Sequence, residues 1–303
     1  MEDITANITM LREASAEAVL HVSHSETIQA IVENRVPKGN VFEVARVAGL
    51  FAVKNTPLNL PTSHPVPIEF TAIEFLIQDL EILVSVKVKS VCKSDLEMHA
   101  MHGAAVTALA IYDMLKYIDK GMSIGQIKIQ EQLVGHFKSE FPTAFRAAVV
   151  VCSNAVAKGI KPDSAGQLIL EKLTSQRCEI TSYCIIPDDF DQIRTLARSL
   201  SADNQLVIFS GGTGLAKTDL TTEALEPLLG RRIPGIEEAI RSYGQSLTPH
   251  AMFSRSLAGM IGDCLVLAIP GSTRGAGESL DAIFPQILHV FPVMKGSGSR
   301  LES

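Results

Sequence analysis

The sequence predicts an α+β domain in the first half of the chain and an α/β domain with a mostly parallel sheet in the second. Three observations predict this. The chain has 303 residues, a length typical of two domains of ordinary size. Alternating strand patterns and one long helical pattern share the first half. In the second half, short apolar runs alternate with helical patterns.

The first half predicts helices first, then strands, one long helix and a last strand. Helical spacing of apolar residues predicts helices over 10–35, 41–53 and 96–118, the last with an apolar stripe that includes Met98 and Leu109. Alternation predicts strands over 68–77, 80–91 and 124–129. This order is typical of an α+β domain, here residues 1–141, for which we expect a ferredoxin-like arrangement.

The second half predicts a parallel sheet. Apolar runs predict strands over 147–151, 179–186, 206–209 and 264–269, and the segments 164–173 and 190–200 between them are predicted to be helical. We assign residues 145–295 to this domain and expect residues 296–303 to be a disordered tail. Ligands of such sheets bind at the carboxyl ends of the strands.

Composition excludes several classes of function. Neither half is basic and the net charge is −6, so a nucleic-acid partner is not expected. No apolar run approaches the length of a membrane span, and the N-terminus does not resemble a secretory signal. The five cysteines form no CxxC pair, which favours reduced thiols in a cytoplasmic protein.

A glycine-rich turn, Ser210-Gly-Gly-Thr-Gly214, follows one predicted strand directly. Glycines let successive backbone N–H groups face an anion, and a helix that begins nearby adds its positive end. The turn therefore predicts a phosphate site, although a tight strand–helix connection without a ligand explains the glycines equally well. It matches neither the P-loop nor the dinucleotide fingerprint.

Asp219 lies close to this turn in the sequence. A carboxylate beside a phosphate repels it unless a cation lies between them, so one interpretation is Mg²⁺ held between Asp219 and nucleotide phosphates. The alternative is that Asp219 caps the helix that follows. The residues alone leave both interpretations open.

Six motifs of the second half occur together: KPDSAG (161–166), IIPDD (185–189), SGGTGLAKTDLTTEAL (210–225), IPGIEEAIR (233–241), FSRSLAGM (253–260) and AIPGSTRGAGESL (268–280). In this order they resemble the molybdopterin adenylyltransferase family, with its MogA/MoaB-like domain. The resemblance implies a three-layer α/β/α fold. It also implies that ATP is a substrate, with Mg²⁺, and that AMP is transferred to the molybdopterin phosphate with release of pyrophosphate.

The resemblance also implies roles for individual residues. Asp188 and Asp219 would be the functional carboxylates, Asp219 with Mg²⁺. The residues that would bind phosphate, pterin or nucleotide are Gly211, Gly212, Thr213, Gly214, Asp163, Ser164, Ser254, Arg255, Pro270, Gly271 and Ser272, with Arg255 as a phosphate donor or a structural pair. Asn154 departs from the family, which usually has aspartate there. Some domains of this family bind molybdopterin without adenylating it.

In the first half, Asp113 and Lys116 are three residues apart on the long predicted helix and share a face. The spacing alone favours a solvated charged stripe, and His64 in its proline-rich loop is typical of a surface residue. However, the segments PKGNVFEVARVAGLFAVKNTPLNLPTSHP (37–65) and LEMHAMHGAAVTALAIYDMLKYIDKGMSIGQIKI (96–129) resemble the cyclic pyranopterin monophosphate synthase family, which is MoaC-like.

This second resemblance implies conversion of a cyclised dihydroguanosine triphosphate to cyclic pyranopterin monophosphate, with loss of pyrophosphate. The residues that it implies for the site are Lys38, His64, Asp113 and Lys116, with Arg12 on the triphosphate and Glu97 and Lys138 as further substrate contacts. Lysines can neutralise phosphates and act as acid or base. Two segments depart from the family pattern: Glu97-Met98-His99, and the loop 135–139 that contains Lys138.

Together the two halves predict a bifunctional enzyme of molybdenum cofactor biosynthesis that binds pterin and nucleotide small molecules and no tightly bound cofactor. The resemblances imply a homo-oligomer, a trimer or a hexamer. One alternative is a carrier in which one or both domains bind pterin without turnover. Another is a nucleotide-dependent α/β enzyme unrelated to molybdenum. A metal site at Glu97, His99 and His102 is a further hypothesis, which the resemblance does not favour.

Overall fold

The computed structural model describes residues 1–134 and 145–294. The chain divides into two compact units, Met1–Ser139 and Glu140–Ser303. Our expectations for Lys138, for the loop 135–139 and for the tail 296–303 concern residues outside the described ranges.

The first unit is built on a four-stranded antiparallel sheet with the strand order β2-β3-β1-β4. Its elements in chain order are β1 (Met10–His21), α1 (Ser25–Val32), α2 (Val41–Lys54), α3 (Thr56–Asn59), β2 (Phe70–Gln78), β3 (Glu81–Cys92), α4 (Glu97–Leu115) and β4 (Ser123–Val134). The second helix, the two alternating strands, the long helix and the last strand lie where the sequence predicts them, within a few residues at their ends.

The prediction of a helix over residues 10–35 is wrong, because this segment holds strand β1 and the short helix α1. Ala14, Ala16, Ala18 and Leu20 are completely buried on one face of the sheet. The residues between them lie on the other face and are partly exposed. This is the period of a strand. Ala14 and Ala18 also fit a helical spacing, so the small side chains on this face obscured the difference.

The apolar stripe expected on α4 is also displaced. Met98 and Leu109 are about half exposed, whereas the buried face carries small residues such as Ala100, Gly103 and Ala104. Helix α2 and strand β3 pack against this face so closely that a Cβ atom on Gly103 would lie 2.5 Å from Val53 Cγ2 of α2 and 3.1 Å from Val86 Cγ1 of β3. Small residues are therefore required where the helices and the sheet meet.

The second unit contains a six-stranded sheet with the order β6-β5-β7-β10-β9-β8. Its strands are β5 (Arg146–Cys152), β6 (Glu179–Ile186), β7 (Leu206–Ser210), β8 (Arg231–Arg232), β9 (Leu257–Ile261) and β10 (Cys264–Ile269). Its helices are α5 (Asn154–Ala157), α6 (Ser164–Ser175), α7 (Phe190–Asp203), α8 (Thr221–Leu225), α9 (Pro234–Leu247), α10 (Thr273–Ile283) and α11 (Val290–Met294). The pairs β5–β6, β5–β7 and β7–β10 are parallel, as the sequence predicts, and β9 and β8 add an antiparallel edge.

Successive residues of the buried strands contribute to two different cores. Val149 packs with Ile169 of α6 and Leu280 of α10, and its neighbour Val150 packs with Ile193 of α7. Helices therefore cover both faces of the sheet. The carboxyl ends of the parallel strands β5, β6, β7 and β10 meet at one edge, where the chain turns into α5, α7, α8 and α10.

Candidate functional site

The glycine-rich turn at the end of β7 has a backbone that only glycine adopts readily. Gly211 and Gly212 have φ values of 108° and 62°, which side chains disfavour. A Cβ atom at Gly211 would also overlap the carbonyl oxygen of Cys152, and one at Gly212 would overlap Thr221 Oγ1. The turn is therefore pressed against the end of the neighbouring strand β5.

Asp188, which follows β6, lies against the same turn. Its Oδ2 accepts a hydrogen bond of 3.1 Å from the backbone N–H of Asn154, whereas Oδ1 is buried and has no hydrogen-bond partner. Burial raises the pKa of the Asp188 carboxyl group, the Asn154 hydrogen bond opposes this, and the charge of Asp219 adds to the increase. The site thus keeps one carboxylate oxygen free beside the glycines.

Asp219 does not cap the helix that follows it. Helix α8 begins at Thr221 after Leu220, without a side-chain cap. The Oδ2 atom of Asp219 instead accepts a hydrogen bond of 2.8 Å from the backbone N–H of Ala216, and it would lie 2.6 Å from a Cβ atom on Gly214. The carboxylate is therefore folded back onto the turn.

Arg255 stabilises this loop from behind. Its Nε donates to the carbonyl oxygen of Gly214 at 2.7 Å, its Nη2 to that of Asp219 at 3.1 Å, and its Nη1 pairs with Glu223. All three guanidinium nitrogens are in use and Arg255 does not line the adjoining cavity. Of the two roles expected for this residue, these contacts are those of a structural pair.

These loops enclose a cavity of about 1000 Å³. The expected site residues that line it are Asp163, Ser164, Asp188, Gly211, Gly212, Thr213, Gly214, Asp219, Ser254, Pro270, Gly271 and Ser272. Sequence reasoning missed the cationic groups Lys161, Arg241 and Arg274 and the imidazole of His250, which line it as well. The first three lie inside the quoted motifs, so their positions carried a signal, whereas His250 lies in none of them.

Two long helices begin at the cavity wall with capped first turns. Asp163 Oδ1 accepts from the backbone N–H of Gly166 at 2.8 Å, and its Oδ2 accepts from the hydroxyl of Tyr183. Ser272 Oγ accepts from the backbone N–H of Gly275 at 3.1 Å. Asp163 is thus a helix cap as well as a lining residue, and each of its carboxylate oxygens already accepts a hydrogen bond.

Cys152 also lines the cavity. Burial raises the pKa of its thiol to about 12, so it stays protonated near neutral pH. A thiolate nucleophile is therefore disfavoured at this position, and the other polar groups that line the cavity include carboxylates, cations, hydroxyls and backbone N–H groups.

The first unit brings Lys38, Asp113 and Lys116 together at the end of α4. Lys38 Nζ lies 2.8 Å from Asp113 Oδ2 and 2.8 Å from the Asp113 carbonyl oxygen, and Lys116 Nζ lies 2.6 Å from Asp113 Oδ1. Both ammonium groups lie over the Tyr117 ring, at 4.8 and 5.4 Å from its centre. Hydrogen bonds from Lys116 and Lys38 lower the pKa of Asp113 to about 2, and Asp113 raises the pKa of Lys116.

Two other expected residues of this unit have contacts elsewhere. Arg12 Nη1 pairs with Asp95, and its Nε is buried without a hydrogen-bond partner. The His64 Nε2 atom contacts the carbonyl oxygen of Glu2 at 2.9 Å. Within the described part of this unit, no contact joins Arg12 or His64 to the cluster of Lys38, Asp113 and Lys116.

Glu97 begins α4, and the two histidines that follow it are not arranged as metal ligands. His99 is almost completely buried, with neither ring nitrogen hydrogen-bonded, and burial together with His102 lowers its pKa. The Nδ1 atom of His102 contacts Thr56 Oγ1 and the Ala52 carbonyl oxygen, both at 3.1 Å. Across residues 1–134 and 145–294, no group of three or more histidine, cysteine, aspartate or glutamate side chains could hold a metal. No helix in these ranges is long and apolar enough to cross a membrane.

Family models match both halves of the chain. The model of the MoaC family matches residues 1–135, and that of a probable molybdopterin binding domain matches residues 148–289. The molybdenum cofactor biosynthesis bifunctional protein of Chlorobaculum tepidum is 34% identical over 299 residues, which cover 98% of this chain and 95% of that protein. The bifunctional protein of Synechococcus elongatus is 31% identical over 313 residues, which cover 98% of each chain.

Other relatives match one half each. The cyclic pyranopterin monophosphate synthase of Geotalea uraniireducens is 43% identical over 131 residues, which cover 43% of this chain and 81% of that protein. Among solved structures, the molybdopterin biosynthesis enzyme MoaB from Thermus thermophilus matches with 36% sequence identity and a TM-score of 0.48. The match covers 50% of this chain and 97% of that protein.

Proposed function

Because the chain belongs to the family of molybdenum cofactor biosynthesis bifunctional proteins, we propose that each of its two units catalyses one reaction of that biosynthesis. The first unit converts a cyclised dihydroguanosine triphosphate to cyclic pyranopterin monophosphate and diphosphate. The second unit adenylates molybdopterin with Mg-ATP, and also releases diphosphate. Both sites therefore have to bind and release a polyphosphate.

In the first unit, Lys38 and Lys116 are the groups that meet the triphosphate. Each is an ammonium donor already held in place by Asp113, and each lies over the Tyr117 ring. Point charges of this kind neutralise phosphate oxygens and the charge on a departing pyrophosphate. In the proposal, Arg12, Glu97 and Lys138 complete this site as substrate contacts, and His64 completes it as a catalytic residue.

The pKa shifts of Asp113 and Lys116 favour a particular role for each residue. Since the pKa of Asp113 is about 2, this carboxylate is ionised near neutral pH and acts as an acceptor that orients the two lysines. Since Asp113 raises the pKa of Lys116, that lysine enters the reaction protonated, as a donor to the substrate. Lys116 becomes a base only after it has given its proton to the substrate.

In the second unit, the observation that carries the proposal is the free Oδ1 atom of Asp188 beside the glycine-rich turn. A buried carboxylate oxygen without a donor is costly unless something binds it. The neighbouring backbone at Gly211 and Gly212 is open to a phosphate group, and the cavity of about 1000 Å³ has room for a nucleotide and a pterin.

The residues present also fit Mg²⁺. This ion takes few protein ligands and prefers one or two carboxylates together with phosphate oxygens and water. Asp188 and Asp219 are the two carboxylates beside the turn, and Asp188 offers an unpaired oxygen. When bound, Mg²⁺ would neutralise the phosphates of ATP. Lys161, Arg241 and Arg274 lie around the same cavity and can contact the anionic groups of either substrate.

The proposal includes finer structural assignments. We assign residues 1–141 and 145–295 to the two domains. The strand order of the first is that of a ferredoxin-like fold, and the helices on both faces of the second sheet fit a three-layer α/β/α fold. We infer a homo-oligomer, a trimer or a hexamer, as the two resemblances imply; in residues 1–134 no contact joins Arg12 or His64 to the lysine cluster, which is compatible with a site that a second subunit completes. Sedimentation that shows a stable monomer would contradict the oligomer.

The test is to supply the full-length protein with each substrate separately. With the cyclised dihydroguanosine triphosphate we expect pyrophosphate and cyclic pyranopterin monophosphate. With Mg-ATP and molybdopterin we expect pyrophosphate and adenylated pterin. A chelator should abolish the second reaction, because its site supplies two carboxylates and has to receive a cation, and should leave the first nearly unchanged.

The second candidate function is a carrier that binds pterin without turnover. Asn154 in the second unit and His99 in the first favour it, because both differ from the residues usual in the two families. Binding of molybdopterin to the folded protein without pyrophosphate release would support the carrier for the second unit. It would leave the first unit as the only candidate enzyme.

A further inference from the structure

Asn154 and Asp188 form a reciprocal pair beside the second cavity, which Asp188 lines. The backbone N–H of Asn154 donates to Asp188 Oδ2 at 3.1 Å, and the backbone N–H of Asp188 donates to Asn154 Oδ1 at 3.3 Å. Asn154 follows β5 and Asp188 follows β6, which are neighbouring parallel strands. The pair therefore ties together the two strand ends that carry these residues.

This pair determines which oxygen of Asp188 remains available. Oδ2 is engaged by Asn154, and Oδ1 is left without a partner at a place 3.2 Å from where a Cβ atom of Gly212 would lie. Because one carboxylate oxygen and the backbone N–H of Asp188 are both hydrogen-bonded, the side chain has little freedom to rotate. The asparagine thus holds the unpaired oxygen beside the glycine-rich turn.

The amide is not needed for these hydrogen bonds. An aspartate at position 154 would accept from the Asp188 N–H with a carboxylate oxygen, and its own backbone N–H would be unchanged. The difference is one negative charge next to Asp188, whose Oδ1 atom is already buried without a hydrogen-bond partner. Asparagine therefore keeps the geometry and limits the local charge.

We propose that Asn154 is a positioning residue of the second cavity, which orients the Asp188 carboxylate and, being neutral, keeps the number of carboxylates beside the phosphate-binding turn at two. This inference rests on the proposed binding of a nucleotide in this cavity. Its consequence is that the protein binds nucleotide phosphates with less dependence on Mg²⁺ than it would with an acid at position 154. Asn154 acts through Asp188 and through the local charge, without contacting the reacting atoms.

The test measures equilibrium binding of the α,β-methylene analogue of ATP, which cannot transfer AMP, to the full-length protein. It is run in EDTA and over a range of free Mg²⁺ concentrations, with calorimetry or equilibrium dialysis. Asn154→Asp should weaken binding in EDTA by about tenfold, since one added charge acts over a short distance in a partly buried site. Saturating Mg²⁺ should restore its binding to near the wild-type value.

Asn154→Ala should behave differently. It removes the acceptor for the Asp188 N–H without adding charge, so binding in EDTA should stay within about twofold of wild type. The gain in affinity on adding Mg²⁺ should fall by about tenfold, because the backbone of Asp188 loses its side-chain acceptor and only the hydrogen bond from the backbone N–H of residue 154 still holds the carboxylate. Asn154→Asp keeps the acceptor and thus provides a second, well-folded variant if Asn154→Ala is unstable.

Gln205→Glu is the matched control. Gln205 Oε1 also accepts a hydrogen bond of 3.1 Å from a backbone N–H, that of Arg146. This bond lies at the amino ends of the strands, where β7 begins, away from the cavity. The same change from amide to carboxylate there should leave both binding constants unchanged.

Three outcomes would overturn the inference: Asn154→Asp binds in EDTA like wild type, Asn154→Ala retains the full gain from Mg²⁺, or wild type binds the analogue under neither condition. The binding measurement is independent of turnover. A wild-type protein that forms no adenylated pterin but shows the expected pattern would therefore refute the proposed reaction and leave the role of Asn154 intact.

Discussion

The two candidate sites differ in the charged groups at their centre, although Lys161, Arg241 and Arg274 also line the cavity of the second. In the first unit, Lys38 and Lys116 surround one exposed aspartate, Asp113, at the end of a helix. In the second unit, Asp188 and Asp219 lie beside a glycine-rich turn inside a cavity. The lysines lower the pKa of Asp113 to about 2, whereas burial raises the pKa of Asp188.

This difference shows that two sites that both release pyrophosphate can neutralise it in different ways. The first site carries its own cations, so its phosphate binding is built into the chain. In the proposed function, the second site places two carboxylates where the phosphates would lie and receives Mg²⁺ together with the nucleotide. Variants that separate the two activities test this contrast directly.

The largest effect is expected for Asp219→Asn. Loss of a carboxylate that holds the cation should lower adenylyl transfer by about a thousandfold and leave the formation of cyclic pyranopterin monophosphate unchanged. Both products are measured with the same preparation. The control is Asp263→Asn, at an exposed turn between β9 and β10, which should keep both activities. Equal loss of both activities in Asp219→Asn would indicate a folding defect rather than a site effect.

The converse variant is Lys116→Gln. Removal of the proton donor held by Asp113 should lower pyrophosphate release from the cyclised triphosphate by about a hundredfold, with adenylyl transfer unaffected. The nearby exposed Lys120 provides the control as Lys120→Gln, which adjusts the net charge equally. Similar losses in the two lysine variants would mean that the general positive charge matters and the position does not.

Gly211→Ala tests how tightly the second site is built. An alanine at this position has to adopt a φ of 108°, and its Cβ atom would overlap the Cys152 carbonyl oxygen. We therefore expect the substitution to destabilise the second unit by about 3 kcal/mol. At Gly159, φ is 69° and nothing lies within 4 Å of the added Cβ, so Gly159→Ala should cost only about 1 kcal/mol. Hydrogen exchange in urea, read on peptides of β5 and β7, separates the two variants. Equal losses would show that backbone conformation alone sets the cost.

The smallest effect is expected for Asp119→Asn in the first unit. Burial alone would raise the pKa of Asp119, but hydrogen bonds from Ser23, Thr27 and Gly121 outweigh it and lower the pKa. In asparagine, one carboxylate oxygen is replaced by an NH₂ group, which is a donor and would face the donors that now bind Asp119. The first unit should therefore lose about 2 kcal/mol of stability at neutral pH.

The same prediction has a pH dependence of defined sign. Because the native pKa is depressed, the contribution of Asp119 is present above its ordinary pKa and is lost as the pH falls through the native pKa. The difference between wild type and Asp119→Asn should therefore shrink below about pH 4. Urea-dependent hydrogen exchange of β1 peptides measures it, with Asp79→Asn at the exposed β2–β3 turn as the control. A difference that persists at low pH would contradict the assignment.

The sequence predicted the four parallel strands of the second unit, because β5, β7 and β10 are buried on both faces and β6, β7 and β10 are followed directly by glycine or proline, whereas it did not predict β8 and β9. A run such as Leu206–Ser210 is too short for a helix, and its continuous apolar character is typical of a strand in the middle of a parallel sheet. In the first unit β1 was misassigned because its buried face is mostly alanine, and small side chains fit either period. The stripe on α4 was misplaced for a related reason, since close packing selects Gly103 and its small neighbours over larger apolar residues.

For the sites, the sequence identified residues but not all of their contacts. The spacing of Asp113 and Lys116 predicted a shared face. Lys38 comes from a distant part of the chain and was expected in the site from the resemblance alone; the structure shows its contact with Asp113. The motifs contained Arg255 but could not distinguish a phosphate donor from a structural pair, because that depends on which backbone oxygens lie within reach. His250 carried no local signal at all.

Gly211 and Gly271 illustrate a consequence for how such a cavity can change over generations. A Cβ atom on Gly271 would lie 2.8 Å from the Cα atom of Gly211, so the turns after β7 and β10 touch through backbone alone. Neither turn can acquire a side chain there unless the other gives way. A single nucleotide change at either codon therefore meets the same steric barrier, and new specificity is more accessible through the residues of the cavity wall than through its floor.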